Sequence, residues 1–113
     1  MPDGAWVKEL KAAITVCDRD GVALEMNDHA AETHEKDGGR ALIGRSILDC
    51  HPERARALFE ELLRTESLNV YTIEKNGVKK LIYQAPWYEA GVFRGIVEFS
   101  LPIPAEIPHF VRS

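Results

Sequence analysis

From Leu68 to Phe99 the chain alternates apolar and polar positions with a period of two, broken by two clusters of turn residues. That pattern predicts three consecutive strands, because successive side chains of a strand project to opposite faces. The first break is Asn76-Gly77, a pair suited to a type I′ turn, whose two central residues need positive φ. A two-residue loop there pairs Lys75 with Val78, Thr72 with Leu81, Val70 with Tyr83 and Leu68 with Ala85. It also sets Glu74 opposite Lys79, a favourable cross-strand charge pair. The second break is Glu89-Ala90-Gly91. A three-residue loop with a left-handed glycine pairs Trp87 with Phe93, Ala85 with Gly95, Tyr83 with Val97 and Leu81 with Phe99. A two-residue loop would set Gln84 opposite Val97 and break the pattern. One face then carries Leu68, Val70, Thr72, Leu81, Tyr83, Ala85, Trp87, Phe93, Val97 and Phe99, and is expected to be the inner one. The other mixes Tyr71, Ile73, Ile82 and Ile96 with Lys80, Gln84, Arg94 and Glu98. It is too apolar to be wholly solvated and should be covered by another element or a partner.

Upstream, Ile14–Val16 and Val22–Met26 flank Arg19-Asp20-Gly21, a further three-residue hairpin loop that sets Val16 against Leu24 and Ile14 against Met26. Cys17, opposite in parity to Val16, reads as a small buried group on the back of the sheet. Asn27 is a natural N-cap for a helix over residues 28–36, which Gly38-Gly39 stops. A longer helix is expected from Pro52 to about Arg64, with proline at its first position. Ala55, Leu58, Phe59, Leu62 and Leu63 form one apolar stripe on it, directed at the inner sheet face. Trp6, Val7 and Leu10 make a short amphipathic start, a helix over about residues 4–11. Pro102, Pro104 and Pro108 rule out a long helix at the other end. The fold class is α+β: a single domain over residues 1–113, with a core over about 12–101 and a proline-rich tail over 102–113.

Charge and composition narrow the function. The 113 residues carry a formal net charge of −4, so no global electrostatic attraction to nucleic acid or acidic membranes is expected. No apolar run approaches the roughly 20 residues needed to cross a bilayer, and the first residues lack a signal-peptide pattern. Two cysteines, Cys17 and Cys50, make no disulfide framework. A cytoplasmic location is the default.

The order of elements, with specific residues, resembles a PAS domain. Ile14-Thr15-Val16-Cys17-Asp18-Arg19-Asp20-Gly21 and Glu25-Met26-Asn27 are similar to the opening hairpin and helix start of that family. Leu42-Ile43-Gly44-Arg45-Ser46 resembles the segment before its long helix, and Gly91-Val92-Phe93-Arg94-Gly95 with Val97-Glu98 resembles its last strand. The stretch from Asp49-Cys50-His51-Pro52 through Glu74–Lys80 to Trp87-Tyr88, with Pro108-His109-Phe110, looks like a prokaryotic sensory-box branch also found fused to hemerythrin-like domains. The resemblance implies a five-stranded antiparallel sheet in order 2-1-5-4-3, helices on one face, a small-ligand cavity beneath them, and signalling through dimer or partner contacts. It does not extend to flavin photochemistry. Gly44-Arg45-Ser46-Ile47 lacks the cysteine that would form a flavin adduct.

The resulting expectation is a sensory module and not an enzyme, binding a small apolar ligand or a partner protein. His51, Phe59, Thr72, Tyr83, Val97 and Phe99 are the candidate ligand residues. Trp6, Leu10, Tyr71, Ile73, Ile82 and Ile96 are the candidate homodimer surface. Two alternatives stay open. His51 could ligate haem iron, making a redox or gas sensor, or His51 and Tyr83 could form an acid–base pair in a small enzyme. No metal site is expected, because His29, His34 and His109 are scattered and zinc needs clustered ligands.

Overall fold

Turn chemistry sets the frame of the sheet. The computed structural model describes residues 4–50 and 52–113. Asn76 and Gly77 both take positive φ, 52° and 77°, and join β3 (Asn69–Lys75) to β4 (Val78–Glu89). The expected pairs Lys75–Val78, Thr72–Leu81, Val70–Tyr83 and Glu74–Lys79 all form. Leu68 lies just before β3 and outside the ladder.

The second hairpin differs from its expected register. Ala90 and Gly91 also take positive φ, so this loop has two residues, with Glu89 opposite Val92, the first residue of β5 (Val92–Ile103). A bulge then inserts Arg94 between Phe93, the partner of Tyr88, and Gly95, the partner of Trp87. That extra residue restores the face alternation that an unbroken two-residue hairpin would lose. Tyr83 therefore pairs with Phe99 and Ala85 with Val97, two positions away from the expected register but on the expected face. Phe93 is the exception. The bulge turns it to the opposite face, beside Tyr88, with ring centroids 6.0 Å apart.

β1 (Ala13–Cys17) and β2 (Ala23–Met26) form the remaining hairpin. Cys17 pairs with Ala23 as the three-residue loop requires, but a bulge at Leu24 then sets Val16 opposite Glu25 and Thr15 opposite Met26. The expected Val16–Leu24 and Ile14–Met26 pairs are displaced by that inserted residue. All pairings are antiparallel, and the strand order is β2-β1-β5-β4-β3, as the resemblance implied.

Between β2 and β3 the chain crosses the sheet through α2 (Asp28–Thr33), three short 3-10 turns and α3 (Glu53–Thr65). Asn27 caps α2, its Oδ1 accepting from Ala30 N at 3.0 Å. The same oxygen accepts from Ile14 N, while Nδ2 donates to Val7 O and Ala12 O. One buried side chain thus ties α2, β1 and the short α1 (Ala5–Lys8) together. α2 ends earlier than expected, at Thr33, and the chain tightens into a 3-10 turn before Gly38 at φ 116°. Pro52 is the N-cap of α3 rather than its first residue.

The principal correction concerns the covered face. Phe59 and Leu62 of α3 pack on Cys17 and Ile96, with Ile47, Leu48, Leu63 and Phe93 around them. The inner face is therefore the one carrying Ile82, Gln84, Ile96 and Glu98. The face carrying Thr72, Tyr83, Val97 and Phe99 is the outer one. Both faces are rich in apolar residues, so alternation fixes which residues share a face but not which face the crossover covers. β2 and β3 run parallel at opposite edges, and the right-handed sense that such crossovers take decides the side. A second cluster, Ala13, Met26, Ala30 and Leu42, closes the core at the β1–β2 end.

Candidate functional site

On the inner face, β1 and β5 bring Thr15 and Glu98 side by side as register partners. They form one wall of an interior cavity. Ala23 and Met26 of β2, Leu42 and Ile47 of the 3-10 segments, and Phe59 of α3 supply the apolar remainder, with His34 at the end of α2. Its volume is about 30 Å³, room for about two waters.

The polar groups of this face form one run across the sheet. Asn69, Gln84 and Glu98 are successive cross-strand neighbours on β3, β4 and β5. Asn69 Nδ2 donates to Gln84 Oε1 at 2.8 Å, and Gln84 Nε2 donates to Glu98 Oε1 at 2.6 Å. Gln84 is buried, and a buried amide left unpaired is costly. The Glu98 carboxylate accepts only, which fixes the orientation of the Gln84 amide and, through it, that of Asn69. Tyr71 lies on the same face, and burial, then the Glu98 charge, push its phenol above the usual range. The run thus connects the cavity wall to the edge strand β3.

The residues predicted to bind ligand are divided by the sheet. Phe59 lines the cavity. Thr72, Tyr83, Val97 and Phe99 share the outer face, where the Tyr83 and Phe99 rings meet edge to face at 6.3 Å. They lie together but apart from Phe59, and His51 lies outside the described residues. The predicted dimer surface is corrected in the same way. Ile82 and Ile96 are buried beneath the helices, Ile96 at 1% exposure, and present no surface. Tyr71 and Ile73 are exposed at the β3 end of the inner face, beyond α3. Trp6 and Leu10 are exposed near α1, which sits at the β1–β2 end and not over the Ile82 patch. There Lys8 pairs with Asp28 at 3.1 Å, and Arg40 also pairs with Asp28. Between α1 and the outer side of β1 lies an open groove of about 570 Å³, floored by Val7, Ile14 and Val16.

Sequence reasoning passed over Thr15, Asn69, Gln84 and Glu98. The available signal was Gln84 and Glu98 at the same parity as Ile82 and Ile96. Polar residues on an otherwise apolar face mark either solvent or a hydrogen-bonded interior, and the sequence alone does not distinguish the two.

Cys17 is a core group. Burial, with the Asp18 and Glu98 charges adding to it, pushes its thiol up to about 11, against the pull of a backbone hydrogen bond at Ile96. Such a thiol is protonated and unreactive at neutral pH. Among the described residues no cluster of His, Cys, Asp and Glu could hold a metal, and no helix is long and apolar enough to cross a membrane. A haem does not fit this interior. The cavity is about a tenth of the roughly 300 Å³ at which pockets for drug-sized ligands begin.

A family profile described as PAS fold matches residues 7–65. No curated protein matches the chain. Among solved structures, a sensory box sensor histidine kinase from Vibrio cholerae aligns with a TM-score of 0.65 at 18% identity, over 89% of this chain and 88% of that one. The PAS domain of BvgS from Bordetella pertussis aligns with a TM-score of 0.63 at 20% identity, over 88% and 82%. A Vibrio cholerae receptor described as a dual PAS-heme oxygen sensor aligns with a TM-score of 0.60 at 13% identity, over 82% and 95%. At these identities the likeness shows a shared fold.

Proposed function

The chain belongs to the PAS family of sensory domains, and from that premise we propose that it is the input module of a prokaryotic, cytoplasmic signalling system. Its interior cavity takes a small, largely apolar ligand that reaches Thr15 and Glu98. Its outer sheet face passes the occupancy on as a homodimer. The observation that carries this reading is the Glu98–Gln84–Asn69 run, which starts at the cavity wall and crosses the sheet whose far side is uncovered apolar surface. A ligand donating to Glu98 competes with Gln84 Nε2 and changes the hydrogen bonding as far as β3. Occupancy biases the output only through a difference in affinity between the two sheet states.

A cavity of about 30 Å³ admits more than water only if the segment from α2 to α3 moves outward. The small volume favours a second reading, a filled-core PAS scaffold that works by protein contacts alone. Native mass spectrometry of gently purified protein, with side-chain amide NMR of Gln84 and Asn69, separates the two. The ligand reading expects added mass and shifted amide signals when the protein meets the small-molecule fraction of its host's lysate. A bare-chain mass with unmoved amide signals sinks it and leaves the scaffold. Tyr83, one half of the His51/Tyr83 acid–base alternative, faces away from the cavity.

A further inference from the structure

Beyond β5, which ends at Ile103, residues 104–113 form neither helix nor strand and hold three apolar side chains in the open. Ile107 is 57% exposed, Phe110 70% and Val111 90%. The outer sheet face is uncovered as well, with Val70 at 45% and Tyr83 at 37% exposure, and Phe99 beside Tyr83. A compact monomer of 12.7 kDa exposes about 6,200 Å². This chain exposes 8084 Å², roughly 1,900 Å² beyond that expectation. A standard interface removes about 800 Å² from each partner, so the surplus is ample for a stable dimer.

The two apolar surfaces belong to one chain, and each stays largely exposed in it. Pro104 and Pro108 stiffen the start of the tail and favour an extended course. In an extended proline-rich chain of three residues per turn, Ile107 and Phe110 fall on one side. Residues 104–113 can reach about 31 Å, more than the roughly 19 Å width of four strands.

We infer that the tail docks on the outer sheet face of a second copy of this chain, so that two copies exchange tails. Ile107 and Phe110 are the anchors, and Val70, Tyr83 and Phe99 of the other copy form the receiving surface. This rests on the reading of the outer face as the dimer surface and names what covers it.

Sedimentation equilibrium of three proteins tests it: the wild type, a tail variant (Ile107→Asp with Phe110→Asp) and a face variant (Tyr83→Asp). All substituted side chains are at least partly exposed, so each variant is expected to fold, as its circular dichroism spectrum checks; Val70→Asp replaces Tyr83→Asp if the latter fails to fold. The wild type is expected to dimerise, and each variant to dissociate by at least about tenfold more, the loss of one anchor's worth of affinity. Mixing the tail and face variants should restore partial association, because one intact tail then meets one intact face. A tail variant that dimerises like the wild type, while the face variant does not, overturns the exchange but keeps the outer-face dimer. A mixture no stronger than its components overturns the exchange too. A wild type monomeric into the millimolar range overturns both.

Discussion

Gly95 shows how one residue position carries the close approach of the end of β1 to β5. Its φ is 150°, and a Cβ there would overlap Cys17 O and come within 2.6 Å of the Asp18 carbonyl carbon. The same Cys17 carbonyl accepts a hydrogen bond from Trp87 Nε1 at 3.0 Å. The end of β1 is thus pressed onto β5 from one side and held by an indole from β4. Gly95→Ala adds only a methyl, but it strikes backbone atoms that cannot rotate aside. It should cost about 2–3 kcal/mol or more, read as a fall in urea midpoint. A variant with unchanged midpoint would show that the contact between the end of β1 and β5 yields easily.

At the scale of elements, α3 separates residues that the apolar stripe treated as equals. Phe59 and Leu62 are buried, Leu62 at 5%, whereas Leu58 is 50% exposed. The helix meets the sheet along a narrow line over Cys17 and Ile96, so a stripe wide enough for five residues is only partly used. Leu62→Ala should cost about 2–5 kcal/mol, the usual loss for a buried leucine. Leu58→Ala should change stability by less than about 0.5 kcal/mol, as exposed substitutions do. Chemical denaturation of both variants checks the pair. Equal losses would mean that Leu58 is covered in solution, by a second copy or by another segment.

At the scale of the whole molecule, α1 is fastened across the β1–β2 end by Asn27 and by the Lys8–Asp28–Arg40 ion pairs. The hydrogen bond from Lys8, then its charge and that of Arg40, hold the Asp28 carboxyl below the usual carboxylate range, against desolvation. A depressed folded value means that this contribution to stability is present above the ordinary carboxylate pKa, about 3.9. It is lost as pH falls through the lower folded value. Asp28→Asn lacks the contribution at every pH. The stability gap between wild type and variant should therefore be constant near neutrality and close below about pH 4. Thermal melts across that range measure it, and a gap that persists into strong acid would show that Asp28 acts by packing rather than by charge.

The sequence by itself determined the strands, the Asn76-Gly77 turn, the Asn27 cap, the amphipathic α3 and the family, because each is written in local turn chemistry or in a period along the chain. It also determined that Tyr83, Val97 and Phe99 share one face. Tertiary structure alone decided the side of the sheet under the helices, since two apolar faces satisfy the same alternation and only the chirality of the crossover between parallel β2 and β3 distinguishes them. That decision carried Thr72 and Tyr83 out to the surface and brought Gln84 and Glu98 in. The bulges at Leu24 and Arg94 were equally hidden, because one inserted residue changes the pairing without changing the composition of either strand.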